Sequence, residues 1–273
     1  MLRQKWGSVV CPSCRNLVGV NDERCYNCGR WNPGLWGFAP ALSRLGRDLG
    51  FTPMVLTSCM VLYTLSLIVD VQGVQSRGGM EFLMPSQIGL FLFGGAGRWP
   101  VFGFGRWWTV LTAGWLHGGF LHILFNMLWI RQLAPETAET YGPSRMVIIY
   151  TVAGVVGFTL STLMGSYLTV GASAPIFGLL AALVCHGRRT GSSLVTQQAM
   201  MYAVILFVFG FISAGTDNFA HLGGFIGGYA TAAILDPLKP ERLDHLIGAF
   251  VCIGLTALAV VVSVITGLQL LSR

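Results

Sequence analysis

The sequence predicts an all-α, polytopic membrane protein preceded by a small polar module. Three observations carry this reading. First, 53% of the 273 residues are hydrophobic and only 10% are charged, with a mean hydropathy of +0.65. A soluble domain carries about 25% charged residues, so this chain has too little charge to solvate a surface around one buried core. An ordinary soluble enzyme and a disordered chain are both excluded. Second, apolar runs of helical length recur along the chain. Third, charge is concentrated at one end: ten of the 28 charged residues fall in the first 50 positions. The net charge of +6 is read as orienting the chain in a bilayer rather than as a nucleic-acid surface, and no nucleic-acid partner is expected.

The N-terminal module is defined by cysteines. Cys11-Pro-Ser-Cys14 and Cys25-Tyr-Asn-Cys28 are separated by ten residues. Each CxxC places two thiolates on one tight turn, and four thiolates suit a tetrahedral soft cation such as Zn²⁺. Some thirty residues build little core alone, so metal binding supplies most of the folding energy. Two disulfides are the competing reading; the expected cytoplasmic location disfavours them. A redox CxxC lacks the βαβ context it needs. Residues 1–31 are therefore read as a zinc-binding knuckle of unspecified partner, and 32–53, rich in Pro and Gly, as a linker on the membrane surface. No cleavable signal is expected, which leaves targeting to the first membrane helix.

Seven helices are expected: Met54 to Val69, Phe120 to Leu133, Met146 to Met164, Ser173 to Cys185, Ala199 to Ala214, Phe219 to Leu235 and Leu246 to Leu271. Several fall short of the roughly 20 residues that span a bilayer. The Gly-rich stretch from Gln72 to Gly118 lacks helical continuity and reads as an interfacial or re-entrant loop. With the N-terminus inside, thirteen of the seventeen Lys/Arg lie on the inner side, among them Arg131, Arg145, Arg188, Arg189, Lys239 and Arg242. Only Arg77, Arg98, Arg106 and Arg273 lie outside. The asymmetry places the N-terminus in the cytoplasm and the C-terminus outside, and suits a bacterial inner membrane.

Polar groups inside spans are costly and mark function. His122 and Asn126 lie one turn apart on the second helix. Ser173 opens the fourth helix, and His221 opens the sixth. A serine beside a neutral histidine is a minimal nucleophile–base pair. His122, Asn126 and the Ser173 backbone N–H supply donors for an oxyanion. Ala174 and Gly178 on the fourth helix, with Ala220, Gly224 and Gly228 on the sixth, allow two backbones to approach closely. Phe177, one turn after Ser173, is placed to stack on His221. His117 is read as a loop-structuring residue. Asp217, four residues before His221, is read as a solvated loop cap rather than a triad acid. His186 and His245 are expected to face water, and Cys59, Cys185 and Cys252 to pack as small apolar groups.

These pieces resemble the rhomboid family of intramembrane serine proteases. The likeness rests on Trp107-Trp108 leading into Leu116-His117-Gly118-Gly119, on His122 with Asn126-Met127, and on Gly171-Ala-Ser173 with Gly178-Leu179. Ala220-His221-Leu-Gly-Gly224 with Gly228 completes it. It implies a six-helix core over 54–235, with 236–273 adding a loop and a seventh helix (6+1). It further implies a Ser173–His221 dyad without a third acid and without a catalytic cofactor. His122, Asn126 and Ser173 would form the oxyanion hole, supported by Gly171, Phe177, Gly178, Gly224, Gly228 and His117. The implied activity is cleavage of other proteins' transmembrane segments, in lipid, through an acyl-enzyme. Two positions depart from the family pattern. Ala174 follows the nucleophile where Gly is common, and Thr109 stands where an arginine is common, with Arg106 three residues upstream. The competing functions are a non-catalytic relative that binds transmembrane segments and steers their traffic or degradation, and a small transporter, which the lack of paired intramembrane charges and of inverted repeats disfavours.

Overall fold

The structure is a computed structural model that describes residues 3–14, 16–43, 48–76, 82–213 and 215–272. Arg77 and Arg273, counted above on the outer side, and Ala214, the expected end of the fifth helix, lie outside the described residues. Ten α-helices and one two-stranded sheet are present among the described residues. Strands β1 (Ser8–Val10) and β2 (Leu17–Gly19) pair antiparallel with Val9 opposite Val18. Alternation puts Val9 and Val18 inward, where they form a small core with Val20, Cys11, Cys25 and Leu35.

After α1 (Ala39–Ser43), seven long helices build the body: α2 (Phe51–Ile68), α5 (Phe120–Tyr141), α6 (Pro143–Leu163), α7 (Ser173–Thr190), α8 (Ser193–Ile212), α9 (Asn218–Ile234) and α10 (Leu243–Leu271). This is the six-plus-one arrangement. Four of the seven (α2, α6, α8 and α10) are long and apolar enough by themselves to cross a membrane. The others carry the polar and small residues that the interior requires. The apolar-run boundaries fall short at two C-terminal helix ends: α5 continues from Leu133 to Tyr141 and α7 from Cys185 to Thr190. Charged and polar residues there sustain the helix after hydropathy has fallen.

Helix α7 is the centre of the bundle, buried on every side from Ala174 to Cys185. Helices α6 and α9 pack on it and on each other. The long loop between α2 and α5 is built of short pieces, as its glycine content predicts: α3 (Gln87–Phe93), a π-type turn at Trp99–Gly103 and α4 (Thr109–Thr112). Arg106 anchors this loop. Its buried guanidinium donates to Phe91 O (2.6 Å) and to Ser263 O on α10 (2.7 Å), and lies 4.2 Å from the Phe91 ring. Trp108 Nε1 donates to Ser263 Oγ at 3.0 Å. Thr109 donates to Arg106 O, so the loop is held from Arg106, with α10 as its wall.

At the opposite end, the α9–α10 connection is a second hub. The buried Glu241 carboxylate accepts from the backbone N–H of Ser144 (2.7 Å) and Arg145 (3.0 Å) in the first turn of α6. It thereby satisfies two helix-terminal donors with a charge matched to the helix dipole. Burial still holds its carboxyl above the usual range against those bonds and the Arg145 charge. Arg145 donates to the carbonyls of Asp236, Lys239 and Pro240, and its Nε to His245 Nδ1. His245 thus belongs to this network and does not simply face water. The cysteine module docks here: Ser13 Oγ donates to Glu241 O at 2.6 Å, and Arg30 Nη1 donates to Ser13 Oγ at 2.6 Å. Glu241→Ala leaves two buried N–H groups without their acceptor and removes the carboxylate charge that faces Arg145. Each orphaned group costs about 1–3 kcal/mol, so the thermal midpoint in detergent is expected to fall clearly; an unchanged midpoint would refute the hub.

Candidate functional site

Ser173 and His221 arrive from different helices. Asp217 stops the α8–α9 loop and caps α9: its Oδ1 accepts from Phe219 N (3.0 Å) and Ala220 N (3.1 Å). Its other oxygen accepts from the hydroxyl of buried Ser161 on α6. The cap is thus partly buried and tied to α6 rather than solvated, and its oxygens are committed away from the histidine. One turn further on, His221 Nε2 lies 2.9 Å from Ser173 Oγ. The imidazole stacks on Phe177 at 4.4 Å between centroids and 18° between planes.

The small residues make this distance geometrically available. A Cβ on Gly224 would fall onto the backbone of Ala174, and one on Gly228 onto the backbone of Gly178. The methyl of Ala174 faces α6, where a Cβ on Gly157 would come within 2.8 Å of it. The extra carbon at position 174 is therefore accommodated between α7 and α6, while the α7–α9 contact is made backbone to backbone.

His122 and Asn126 approach from α5. Gly118 N donates to His122 Nδ1 at 3.4 Å, so that nitrogen is the acceptor and Nε2 carries the proton. A Cβ on Gly171 would sit 2.6 Å from His122 Nε2 and 3.7 Å from Ser173 Oγ. Gly171, at φ +133°, is a position where a side chain would be both strained and in the way. Asn126 is buried, and its Nδ2 has no hydrogen-bond partner among the described residues. Such a group normally finds a partner, and here it faces a cavity of about 470 Å³ lined by Ser173, His221, His122, Asn126, Phe177 and Trp129. His117 is fully buried, with its ring 5.3 Å from His122 at 71°. The structure thus places Ser173, His221, His122, Asn126 and Phe177 around one cavity and Gly178, Gly224 and Gly228 at the α7–α9 crossing, with Gly171 and His117 packed against His122. One side chain was missed: Asn218, whose Oδ1 lies 3.1 Å from His221 Nδ1. Its only sequence signal is its place three residues before His221, on the same helix face.

The four cysteines form a second site. Their Sγ atoms all lie within 4.8 Å of one another, with Cys11–Cys28 at 3.8 Å and Cys14–Cys25 at 3.5 Å. These are far beyond an S–S bond of about 2.05 Å, so both cross-knuckle pairs are free thiols. They match the roughly 3.8 Å edge of a tetrahedron with Zn–S near 2.3 Å. The Cys28 and Cys14 thiols are pushed in opposite directions. Burial first, then the neighbouring thiols, push Cys28 up to about 12. Cys14, which burial opposes, falls to about 6 through hydrogen bonds from Asn16 N–H and the Asn27 side chain. The residues fit one divalent cation.

A rhomboid domain model matches residues 105–238. The putative rhomboid protease YdcA of Bacillus subtilis is 31% identical over 148 residues, 50% of this chain and 72% of that protein. The rhomboid protease GluP of the same bacterium is 35% identical over 134 residues, 48% of this chain and 26% of that protein. RHOMBOID-like protein 4 of Arabidopsis thaliana is 32% identical over 158 residues, 56% and 40% respectively. The chain therefore spans only about a quarter of GluP and two fifths of RHOMBOID-like protein 4. The cysteine module lies ahead of the matched domain. For that module, metal analysis of the purified full chain should find about one zinc per molecule, and Cys25→Ser should lose it. Full occupancy in the variant would rule out a four-thiolate site.

Proposed function

The chain belongs to the rhomboid family, and from that premise we propose that it is an intramembrane serine endopeptidase acting on transmembrane segments through Ser173 and His221. The observation that carries this is the 2.9 Å Oγ–Nε2 contact in the lining of a largely apolar cavity. It is supported by curated relatives that are named proteases. Residues 54–235 are read as the catalytic core, 236–273 as the loop and seventh helix, 1–31 as the metal module and 32–53 as its linker.

In this reading a substrate helix enters from the lipid, unwinds where small residues weaken it, and presents a carbonyl to Ser173. Oγ attacks as its proton passes to His221 Nε2. Negative charge then develops on the carbonyl oxygen. The Ser173 N–H in the first turn of α7, the protonated Nε2 of His122 and the unpartnered Asn126 Nδ2 are the donors that meet it. His221 returns the proton to the leaving amide nitrogen, giving an acyl-enzyme. Water activated by the same imidazole hydrolyses this ester. The charge asymmetry supports a cytoplasmic N-terminus and a dyad nearer the outer face, and the host is read as a bacterial inner membrane. Four thiolates holding zinc would give the module its fold and fix Ser13 and Arg30 against the α9–α10 loop.

Fragments of membrane proteins that accumulate with the wild type should be absent with Ser173→Ala and with His221→Ala. Asn126→Ala should retain substrate binding but lose about 10²-fold or more in turnover. Equal cleavage by wild type and Ser173→Ala would instead support a non-catalytic protein that binds transmembrane segments.

A further inference from the structure

We propose that Asn218 is the positioning residue that selects the working tautomer of His221, and that Gly210 on α8 makes the space it needs. This rests on the reading of Ser173 and His221 as nucleophile and base. A histidine base must present a bare Nε2 to the serine hydroxyl, which requires the proton on Nδ1. In serine proteases with a third residue, an acid fixes that proton. Here the adjacent acid, Asp217, is committed to capping α9 and to Ser161. The group that meets Nδ1 is the side-chain oxygen of Asn218, at 3.1 Å. An amide oxygen only accepts. It therefore holds hydrogen on Nδ1 and leaves the Nε2 lone pair facing Ser173 Oγ.

Asn218 is itself held. A Cβ on Gly210 would collide with its whole carboxamide group, lying within 3.1 Å of Nδ2 and closer to Cγ and Oδ1. The backbone of α8 therefore packs against this amide. The imidazole is then fixed in two independent ways: Phe177 sets its plane, and Asn218 sets its rotation within that plane. The titratable groups near His221 are Asp217 on its own helix and His122 on α5. From α7 the neighbours are the uncharged Ser173 and Phe177, and α8 brings the uncharged Gly210 against Asn218.

The amide takes no proton at any stage. Oγ–C forms as the Oγ proton moves to Nε2; the imidazolium keeps its Nδ1–H on Asn218; the Nε2 proton leaves with the amide nitrogen as C–N breaks. A neutral acceptor performs this orientation without the desolvation that an unpaired carboxylate would demand inside a membrane.

The test is ¹⁵N NMR of the full chain, labelled at histidine, together with the rate of Ser173 labelling by a fluorophosphonate. Wild type should show His221 with hydrogen on Nδ1. Asn218→Ala should show mixed tautomers, and its labelling and kcat should fall roughly tenfold to hundredfold with KM nearly unchanged. Gly210→Ala, whose methyl touches Asn218 and not the dyad, should reproduce the defect. Asn218→Asp, which keeps the acceptor, should restore the Nδ1–H tautomer. Hydrogen on Nε2 in the wild type, or wild-type labelling by folded Asn218→Ala, would overturn the proposal. If wild-type Ser173 is not labelled at all, the protease reading fails, while the tautomer spectrum still decides the role of Asn218.

Discussion

The close approach of α7 to α9 is the constraint on which the rest of the structure depends. The serine sits on one helix and the histidine on the other, and a hydrogen bond of 2.9 Å joins them. That distance is available because the helices touch backbone to backbone, at Ala174 against Gly224 and at Gly178 against Gly228. In lipid there is no hydrophobic drive to force helices together, so steric fit between small residues has to hold the contact. Glycine at 224 and 228 is therefore what lets Ser173 and His221 meet. Helix α6 completes the wedge: Gly157 lies against Ala220 and Ala174, and Ser161 holds the capping carboxylate of Asp217.

Both ends of this wedge are pinned by polar hubs. Toward the Ser173 end, Arg106 and Trp108 tie the long loop to Ser263 on α10. That loop leads into His117 and Gly118 and so to the His122 tautomer. The seventh helix therefore supports the loop above the site, although it contributes no atom to the site itself. At the far end, Glu241 and Arg145 lock the α9–α10 connection to the start of α6. The cysteine module grips that same connection through Ser13 and Arg30. Ser13 lies between two cysteines and Arg30 lies two residues past a third, so the cysteine cluster and the seating of the loop share neighbouring residues.

Much of this was legible in the sequence because membranes leave few reasons for a polar residue in a span. Ser173, His221, His122 and Asn126 stood out against an apolar background, and the four cysteines by spacing alone. The helix ends were less legible. Hydropathy falls once charged residues appear, yet Arg131, Glu136 and Glu139 continue α5 as readily as leucines would. Asn218 was hidden for a different reason: it sits in a polar run, Thr216-Asp-Asn218, that reads as a loop and a cap, and its contact with His221 depends on side-chain direction at the first turn of α9. Asp217 reads as a solvated loop cap, whereas it caps α9 and is tied to Ser161 by a long-range contact with no local signature. His245 looked like a surface residue beside a basic helix end, and only the fold shows it joined to Arg145.

The account stands most directly on the link between helix approach and the dyad. The decisive measurement is the rate at which a fluorophosphonate labels Ser173 in folded Gly228→Ala, set against its thermal midpoint. A methyl there falls on the Gly178 backbone, so α9 has to move away from α7. The labelling rate is expected to fall by tenfold or more while the protein stays folded at the assay temperature. Wild-type labelling by a folded Gly228→Ala protein would contradict the claim that this crossing sets the distance between Ser173 and His221.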